Sequence, residues 1–583
     1  MSKLNILRNA KTLSDLAYIL NYEPKYLSYI LYKKPNLYTT FTIPKSSGAP
    51  RTILAPCDEL KALQKKLSEL LQDCLENMNQ DLQISSSLSH GFIRKHSIMT
   101  NADIHRKKRS VFNIDIQDFF GSIHLGRVRG FFISNNNFKL EPKVATVIAQ
   151  IACHKNSLPQ GSPCSPVISN LIGHLIDIRL VSLAKKSGCH YSRYADDITF
   201  STNKTTFPST IAVQDSKTEE WMPSTQLEKA INKCGFSLNA AKTRMTYRKS
   251  QQTVTGLVVN QKVHTSADYR KLARAMAHKL FHDGEFNIPD KASVAEKQKP
   301  PKMTVGSLNQ LEGIFSYIYM VDRFNRDKLI KNNGIRAEDQ KLTAIEKTHR
   351  DFLFFKFFYS TSLPTIICEG KTDNVYIQCA IRSLAANYPE LANIDAQGKK
   401  TLKVRFINYS ELTHRILGLN GGTADIARLI CEYAHQCGKY HNTAPKYPTI
   451  VLIDNDKGSQ SIFGAVKTTT KDTYTIGTGK NKQVDRSKNF YYIAQNLYVV
   501  ATPLANGKDS MMEDFFTKPT LATIVDKKTF CVHTPNAPAA STYSKHIFAQ
   551  KVVKANRDKI DFSGFSPILD SLKAVIHHFK LPQ

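Results

Sequence analysis

The sequence predicts a multidomain protein in which an α+β part is followed by an α/β part with a parallel sheet. The chain has 583 residues, which at roughly 150 residues per domain suggests about three to four domains or subdomains. Before residue 355, short strands and turns alternate irregularly with helical periodicity. After Pro364, apolar strands alternate regularly with helical stretches, which is the pattern of a parallel α/β sheet.

The elements of the first part are predicted from their local patterns. Leu, Tyr and Ile at helical spacing indicate two short helices in residues 12–32, separated at Pro24. Residues 43–54 are typical of a strand, a Gly/Pro turn and a second strand. A strand is also predicted at 111–116, and helices are predicted at 58–77, 166–187, 225–234, 266–281 and 308–358.

The elements of the second part are predicted from its apolar runs. Strands are expected at 365–368, 402–407, 449–453 and 491–503. The change in character places the main domain boundary at about 355–363.

The charge balance indicates a partner that carries phosphate. The chain has 80 Lys+Arg against 49 Asp+Glu, a net charge of +31. A large basic protein most often binds nucleic acid, and the alternative is a basic protein whose lysines are merely solvated.

Cysteines and apolar runs indicate the compartment. The 11 cysteines include no CxxC pair, which argues against a disulfide framework and a cysteine zinc site and fits a reducing cytosol. We see no signal peptide and no apolar run of membrane-spanning length, so we expect a cytoplasmic protein without a membrane partner.

Three aspartates form the first candidate site. Asp115 follows an apolar strand, and Asp196 and Asp197 lie between β-forming residues, which predicts a tight hairpin with carboxylates at its tip. For an isolated Asp pair the alternative is a solvated turn. Crowded carboxylates repel one another, and Mg²⁺ relieves this while also binding phosphate oxygens. Two such ions can activate a hydroxyl and stabilise a pyrophosphate leaving group.

Six motifs in a fixed order resemble those of the reverse transcriptases. Residues 114–120 (IDIQDFF) are similar to the first palm motif, residues 158–163 (LPQGSP) to the substrate-contacting motif, and residues 194–197 (YADD) to the catalytic hairpin. Residues 235–239 (GFSLN), with Lys242, follow in the same order. His90-Gly91-Phe92 with residues 97–102, and Val254-Thr255-Gly256, resemble elements of the bacterial retron enzymes. The resemblance covers about residues 15–350. It implies a right-hand fold with fingers and palm in 1–265 and thumb and connection in 266–358.

The resemblance also implies roles for individual residues. The catalytic residues and ligands of two Mg²⁺ ions would be Asp115, Asp196 and Asp197, with the Ile116 carbonyl as a further ligand. Substrate contacts would come from Lys45, Arg51, Phe120, Gln160 and Lys242. Nucleic-acid contacts would come from Val254, Thr255, Gly256, Arg270, Lys271 and Arg274. The alternatives are a solvated hairpin for Lys45 and Arg51, core packing for Phe120, a turn for Gln160 and a surface position for Lys242.

The partners follow from the same resemblance. Retron enzymes copy a cognate non-coding RNA with dNTPs, starting from a guanosine 2′-hydroxyl, and make branched RNA-linked single-stranded DNA (msDNA). We see no second carboxylate set of the RNase H kind, so a host RNase H is expected to remove the template. A homo-oligomer remains open.

A second set of acids follows the predicted strands of the α/β part. Glu369 ends one strand, Asp454 and Asp456 follow another, and Asp509, Glu513 and Asp514 follow a third. Functional groups collect at the carboxyl ends of parallel strands, so these acids predict a Mg²⁺ site. Taken singly, they are also compatible with a helix N-terminus or an ordinary turn.

Together these acids resemble the TOPRIM domain of topoisomerases, primases and OLD-family nucleases. The resemblance covers about residues 363–520 of a predicted domain at 359–583. It implies a general acid/base in Glu369 and one or two Mg²⁺ ions held by Glu369, Asp454, Asp456 and Glu513. A nuclease that acts on nucleic acid in antiphage defence would follow. The alternatives are a non-catalytic scaffold and a mobile-element, maturase-type enzyme, which would require a maturase segment after the thumb.

Overall fold

The computed structural model describes residues 2–44, 50–81, 88–290, 302–334, 341–531 and 541–580. The chain divides into two compact units. The first comprises residues 1–270, 289–304 and 317–339, and the second comprises 271–288, 305–316 and 340–583. The helix Ala344–Phe354, which the sequence assigns to the thumb and connection, belongs to the second unit.

The first unit is built on a four-stranded antiparallel sheet. In spatial order its strands are His190–Tyr194, Asp197–Thr202, Ser110–Asp115 and Arg244–Tyr247. Its helices are Lys3–Asn9, Leu13–Ile19, Pro24–Tyr32, Asp58–Asp81, Ile98–Ile104, Leu125–Ser134, Pro142–Ala152, Ser165–Ser187 and Thr225–Asn232. Two further helices, Ala267–Asp283 and Leu308–Asn333, follow.

Short hairpins complete this part of the chain. They pair Tyr38–Pro44 with Pro50–Pro56, Ala212–Gln214 with Trp221–Pro223, Thr253–Val254 with Leu257–Val258, and Asn287–Pro289 with Met303–Val305. The first contains both strands expected within residues 43–54, and the Gly/Pro turn expected between them lies outside the described residues.

The helix Ser165–Ser187 forms the centre of the first unit. Pro166 lies in its first turn, where no intrahelical N–H is needed, and Gly188 ends it with φ +68°. Its length and mean hydropathy of 1.5 would also suit a membrane span, but 67% of its most apolar window is buried, as in the core helix of a soluble protein.

The second unit contains a five-stranded sheet that is parallel except at one edge. The spatial order is Arg405–Phe406, Thr365–Cys368, Thr449–Ile453, Leu497–Ala501 and Tyr491–Ala494, and the last strand is antiparallel to its neighbour. The prediction of one strand over 491–503 was therefore wrong. The chain turns at Gln495, with φ +55°, and the buried Asn496 amide donates to the carbonyls of Phe358 and Tyr447, both at 2.8 Å.

Helices and a C-terminal segment surround this sheet. The helices are Ala344–Phe354, Asp373–Ser383, Thr423–Cys437, Gln460–Thr469, Lys518–Leu521, Lys545–Ile547 and Ser566–Lys580. Smaller strand pairs are Ala392–Ile394 with Lys400–Leu402, Thr475–Ile476 with Gln483–Val484, and Thr529–Phe530 with Thr542–Tyr543. The strand predicted at 402–407 is shortened to Arg405–Phe406, because Lys400–Leu402 pairs in its own hairpin.

Candidate active site

Strand register brings the three predicted aspartates together. Asp115 is the last residue of its strand and lies opposite Asp197 in the antiparallel pair. Asp197 also pairs with Tyr194, so Ala195 and Asp196 form a two-residue turn, with Ala195 at φ +57°. The backbone N–H of Ile116 donates to the Asp196 carbonyl at 3.0 Å. The adjacent acids therefore lie at the tip of a hairpin beside Asp115.

This site carries excess negative charge. Desolvation by the surrounding protein, and then the Asp196 and Asp115 carboxylates, raise the pKa of Asp197 to about 7, although its side chain still reaches solvent. Desolvation and the charge of Asp115 also raise the pKa of Asp196. Lys242 places Nζ 2.8 Å from Asp115 Oδ2, and this hydrogen bond raises the pKa of the lysine. One ammonium thus faces three carboxylates.

The ligand atoms suit a hard cation. Carboxylate oxygens that repel one another are the donors Mg²⁺ prefers. In the parts of the chain that the structure describes, no three His, Cys, Asp or Glu side chains are already grouped to hold a metal ion. Binding of a cation would therefore require Lys242 to release Asp115 and the carboxylates to draw together.

A buried ion pair holds the hairpin that carries Asp196 and Asp197. Arg193 and Asp177 are completely buried, and the guanidinium donates to both Asp177 oxygens at 2.7 Å. The same guanidinium donates to the carbonyl of Ala195 at 2.9 Å and to Asn170 Oδ1 at 3.0 Å. A Cβ on Gly173 would lie 2.9 Å from this guanidinium, which explains a glycine in the middle of the helix.

The His-Gly-Phe motif packs directly against the hairpin. His90 N–H donates to the Arg193 carbonyl at 2.8 Å, and a Cβ on Gly91 would lie 2.6 Å from the Ala195 nitrogen. The Phe92 ring lies 6.3 Å from that of Phe120. The motif therefore needs a residue without a side chain where it crosses the turn.

Four of the five predicted substrate-contacting residues lie in described parts of the chain, namely Arg51, Phe120, Gln160 and Lys242. Leu54 N–H donates to the Gln160 carbonyl at 2.8 Å, which joins the loop of residues 158–163 to the strand that carries Arg51. The charge of Arg51 lowers the pKa of Asp196, opposing the raising effects above. Phe120 is half-buried. Lys45 lies outside the described residues.

A cleft of about 500 Å³ joins the aspartates to the predicted nucleic-acid turn. Its lining includes Asp115, Asp197, Lys242, Thr255 and Gly256. Thr255 and Gly256 have φ +47° and +79°, the geometry of a tight hairpin turn. Val254, by contrast, is buried in the packing beneath this turn.

The predicted nucleic-acid contacts on the helix Ala267–Asp283 have different environments. Arg270 donates to Thr265 Oγ1 at 2.8 Å and forms an ion pair with Asp322, which leaves its side chain 13% exposed. Lys271 and Arg274 are exposed on the same helix. Arg270 is therefore held within the first unit by an acid.

The second unit gathers its acids at the carboxyl ends of parallel strands. Glu369 Oε2 accepts from Ser459 Oγ at 3.1 Å, and Asp454 Oδ1 accepts from the Met512 N–H at 2.8 Å. Glu513 Oε1 is buried and has no hydrogen-bond partner among the described residues. An unpartnered buried carboxylate oxygen beside other acids fits a cation-binding site.

Mutual repulsion is strong in this second group. Burial, followed by the charges of Asp373 and Glu513, raises the pKa of Asp454 to about 8. Burial and the charge of Glu513 raise the pKa of Asp373 to about 6. Burial raises the pKa of Glu369 as well. These acids are close enough to disfavour one another's charged forms.

Two predicted acids have local structural roles. Asp456 Oδ1 accepts from the Ser459 N–H at 3.1 Å, and Asp514 Oδ2 accepts from the Met511 N–H at 2.9 Å. Asp514 thus caps its own turn.

Sequence reasoning missed two residues of this group. Asp373 accepts from the Gly370 N–H at 2.8 Å, and its position four residues after Glu369 was a usable signal. Lys545 Nζ lies 3.0 Å from Glu513 Oε2, but it belongs to a segment with no recognised motif. Burial alone would lower the pKa of Lys545, but the Glu513 carboxylate raises it.

Comparisons with known proteins agree with the geometry of the first unit. The family described as "Reverse transcriptase (RNA-dependent DNA polymerase)" matches residues 43–259. The chain is 33% identical to the retron Ec86 reverse transcriptase of Escherichia coli over 272 residues, which cover 46% of this chain and 78% of that protein. It is 31% identical over 301 residues to the retron Mx162 reverse transcriptase of Myxococcus xanthus, covering 49% of this chain and 58% of the relative.

The convergent aspartates and the family match define a reverse transcriptase. The chain belongs to the retron reverse transcriptases. Telomerase from Candida albicans, solved with a TWJ fragment of telomeric RNA, aligns at 11% identity over 57% of this chain and 65% of that chain, with a TM-score of 0.30, too low to support an inference. The whole of the second unit lies beyond the residues that the family model matches.

Proposed function

We propose that the first unit is an RNA-directed DNA polymerase of the retron kind. The observation that carries this proposal is the pairing of Asp115 with Asp197 beside the Asp196 turn. The family match and the retron relatives support the same activity. The family description, RNA-dependent DNA polymerase, also supports an RNA template. In this chain the template would be a cognate non-coding RNA.

The residues of the site suggest how the chain would act. Asp115, Asp196, Asp197 and the Ile116 carbonyl would hold two Mg²⁺ ions, which supply charge neutralisation at the reacting phosphate. A primer hydroxyl would lose its proton to a solvent water as its oxygen bonds to the α-phosphorus of a dNTP, and the bond between the α- and β-phosphates would break to release pyrophosphate. Lys242 would release Asp115 and donate to the leaving pyrophosphate.

The product and partners are part of this proposal. Priming from a guanosine 2′-hydroxyl would give msDNA, with a host RNase H trimming the template, in the cytoplasm. A basic chain with a charge of +31 suits a structured RNA that is recognised through its backbone. Arg51, Phe120, Gln160, Lys242 and the turn at Thr255 would contact the substrates.

Primer extension tests the polymerase directly. Purified protein with an RNA template, a DNA primer, dNTPs and Mg²⁺ should extend the primer. Asp196→Asn should lower the rate by at least about 10³-fold because it removes a ligand of the reacting centre. Asp509→Asn is a matched control far along the chain. Equal rates for the Asp196 variant and the wild type would refute the polymerase assignment.

We infer a second, Mg²⁺-dependent nuclease activity for the acids of the second unit. Support comes from Asp454, whose carboxyl interacts electrostatically with both Glu369 and Glu513, and from the unpartnered buried oxygen on Glu513. Glu369 would act as general acid/base, with Asp454 and Asp456 as ligands. An effector role in antiphage defence would follow.

Cleavage assays separate a nuclease from a scaffold. Protein freed of bound nucleic acid should cleave labelled RNA or DNA with Mg²⁺, and Asp454→Asn should not. The Asp454 variant should still extend primers, whereas Asp196→Asn should still cleave. Absence of cleavage by the wild type on every substrate would favour a scaffold.

A further inference from the structure

The helix Pro24–Tyr32 exposes aromatic rings that its own core does not use. It packs into the first unit through Leu27 and Ile30, which are fully buried. On the solvent side, Tyr26, Tyr29 and Tyr32 are 44%, 46% and 54% exposed. Tyrosine rings normally bury most of their carbon surface, so a cluster of three exposed rings indicates a surface that is covered by a partner.

Lysines share this face with the tyrosines. At 100° per residue, Lys25, Tyr29 and Tyr32 lie on one side of the helix opposite Leu27, and Tyr26 and Lys33 flank them. Both lysines are exposed, and the sequence of the helix contains no acid. We call Lys25, Tyr26, Tyr29, Tyr32 and Lys33 the tyrosine face.

The rings are already oriented as a series. Tyr22 and Tyr26 are separated by 6.1 Å between centroids with 9° between planes, and Tyr26 and Tyr29 by 6.3 Å with 18°. Lys66 Nζ lies 4.6 Å from the Tyr22 ring centre, and the Tyr32 hydroxyl donates to Gln150 Oε1 at 2.8 Å. The planes of Tyr22, Tyr26 and Tyr29 are thus nearly parallel, and the Tyr32 hydroxyl is fixed to Gln150.

Aromatic planes interleaved with cations match the chemistry of single-stranded nucleic acid. Bases stack on tyrosine rings whatever their identity, and lysines beside the rings neutralise the phosphates between bases. A duplex would hide its base faces, and an acidic protein would leave the ring planes unused. The combination of charge and ring geometry therefore favours an unpaired strand over either alternative.

We propose that the tyrosine face is a second nucleic-acid contact, which stacks the bases of a single-stranded segment of RNA or DNA. Like the polymerase function, this proposal concerns nucleic acid, but it does not depend on polymerase activity. Equilibrium binding of a strand needs neither dNTPs nor a divalent cation.

Fluorescence anisotropy of the full-length protein tests the surface. The probes are 5′-fluorescein oligo(dT)₂₀, oligo(rU)₂₀ and a 20-mer of abasic deoxyribose phosphates, all in EDTA. Tyr26→Ala/Tyr29→Ala should weaken binding of oligo(dT)₂₀ or oligo(rU)₂₀ roughly tenfold and leave the abasic strand within about twofold. The first two probes show whether the bound strand is RNA or DNA.

The matched control is Tyr26→Phe/Tyr29→Phe, which keeps the rings and should bind like the wild type. Unchanged binding of both base-containing probes by the alanine variant, or an equal loss with the abasic strand, would overturn the proposal. A changed oligomeric state with unchanged binding would also overturn it, in favour of a protein interface.

Cross-linking gives an independent measurement, since other sites on the chain also bind nucleic acid. Irradiation with an oligonucleotide that carries 5-iodouridine should give adducts on Tyr26 or Tyr29 by mass spectrometry. Adducts confined to other peptides would refute stacking at this face. Asp196→Asn should give the same adducts as the wild type, so loss of polymerisation leaves this test unaffected.

Discussion

Arg193 supports the turn that carries Asp196 from a completely buried position. Its guanidinium joins Asp177, Asn170 and the Ala195 carbonyl, and both members of the ion pair are completely buried. Removing one partner of such a pair leaves a buried charge without compensation, which is more costly than the pair's own net contribution. The network therefore serves the geometry of Asp196 as well as stability.

We expect Arg193→Ala to lower the free energy of unfolding by about 3–5 kcal/mol. Urea unfolding followed by circular dichroism measures this. The matched control is Arg94→Ala, because Arg94 pairs with Asp73 at 2.7 Å but both side chains are about 40% exposed. That change should cost under about 1 kcal/mol. Equal effects would show that burial of the pair is unimportant.

The acids of the second unit predict a pH dependence. Burial and the neighbouring carboxylates raise the pKa of Asp454 in the folded protein from its ordinary value of 3.8 to about 8. A raised carboxyl pKa means that the folded state holds the proton more tightly, so stability falls as pH rises from about 4 to 8. Asp454→Asn should therefore stabilise the metal-free protein by roughly 1–3 kcal/mol at pH 8, and by less at pH 5.

Urea unfolding in EDTA at both pH values checks the prediction. Asp509→Asn is the control, because Asp509 pairs with Arg486 at 3.0 Å and its side chain is 42% exposed; it should give no gain. Adding Mg²⁺ at pH 8 should stabilise the wild type more than the Asp454 variant. A pH-independent effect of Asp454→Asn would contradict the proposed repulsion.

Among the connecting elements, the loop of residues 158–163 depends on close backbone contact. Gly161 has φ +127°, and a Cβ there would lie 2.5 Å from the Leu54 carbonyl oxygen. Only glycine satisfies both conditions without strain. The loop and the strand Pro50–Pro56 are thereby held as one surface next to the aspartates.

Gly161→Ala should push this loop away from its strand. We expect the KM for dNTPs to rise roughly tenfold, from about 1–3 kcal/mol of strain, with the fold retained. Steady-state primer extension measures KM and kcat. Gly130→Ala is the control: it lies in the helix Leu125–Ser134 with no atom within 4 Å of a new Cβ. Its KM should be unchanged, and an unchanged KM for both variants would refute the role of the loop.

Elements with a strong local pattern were predicted closely. The helix expected at 166–187 is Ser165–Ser187, and the strand expected at 365–368 has those bounds. The strand expected at 491–503 is a hairpin, because Asn496 finds its partners on segments far away in the sequence. A local apolar pattern cannot contain that information.

The residues of the two candidate sites also differ in how well the sequence predicted them. Asp115, Asp196 and Asp197 were recognisable because each lies in a local motif. Arg193 with Asp177, and Lys545 with Glu513, were missed because these contacts join segments that no local pattern relates. Asp373 lies only four residues after Glu369, but only the fold shows that its charge acts on Asp454.

In the molecule as a whole, the segment after residue 540 completes the core of the second unit. Of the thirty buried residues that form this core in the described chain, twelve lie after that point. They include Phe548 and Phe565, whose rings pack on Phe516 at 5.3 and 4.8 Å. The same segment supplies Lys545 to the acidic group. It is therefore part of the domain and not an appendage.

A chain ending at Leu521 should lose cooperative folding of the second unit. Burial of one large apolar side chain contributes roughly 1.5–3 kcal/mol to stability. Removing twelve buried side chains therefore removes many times that amount of stabilising free energy. Differential scanning calorimetry should show a missing or strongly lowered transition, together with exposure of apolar surface to ANS. Lys559→Ala, a change at an exposed position of the same segment, should melt like the wild type. A truncated protein with an intact transition would show that the sheet and its helices fold without the C-terminal segment, and the acidic group would then have to form without Lys545.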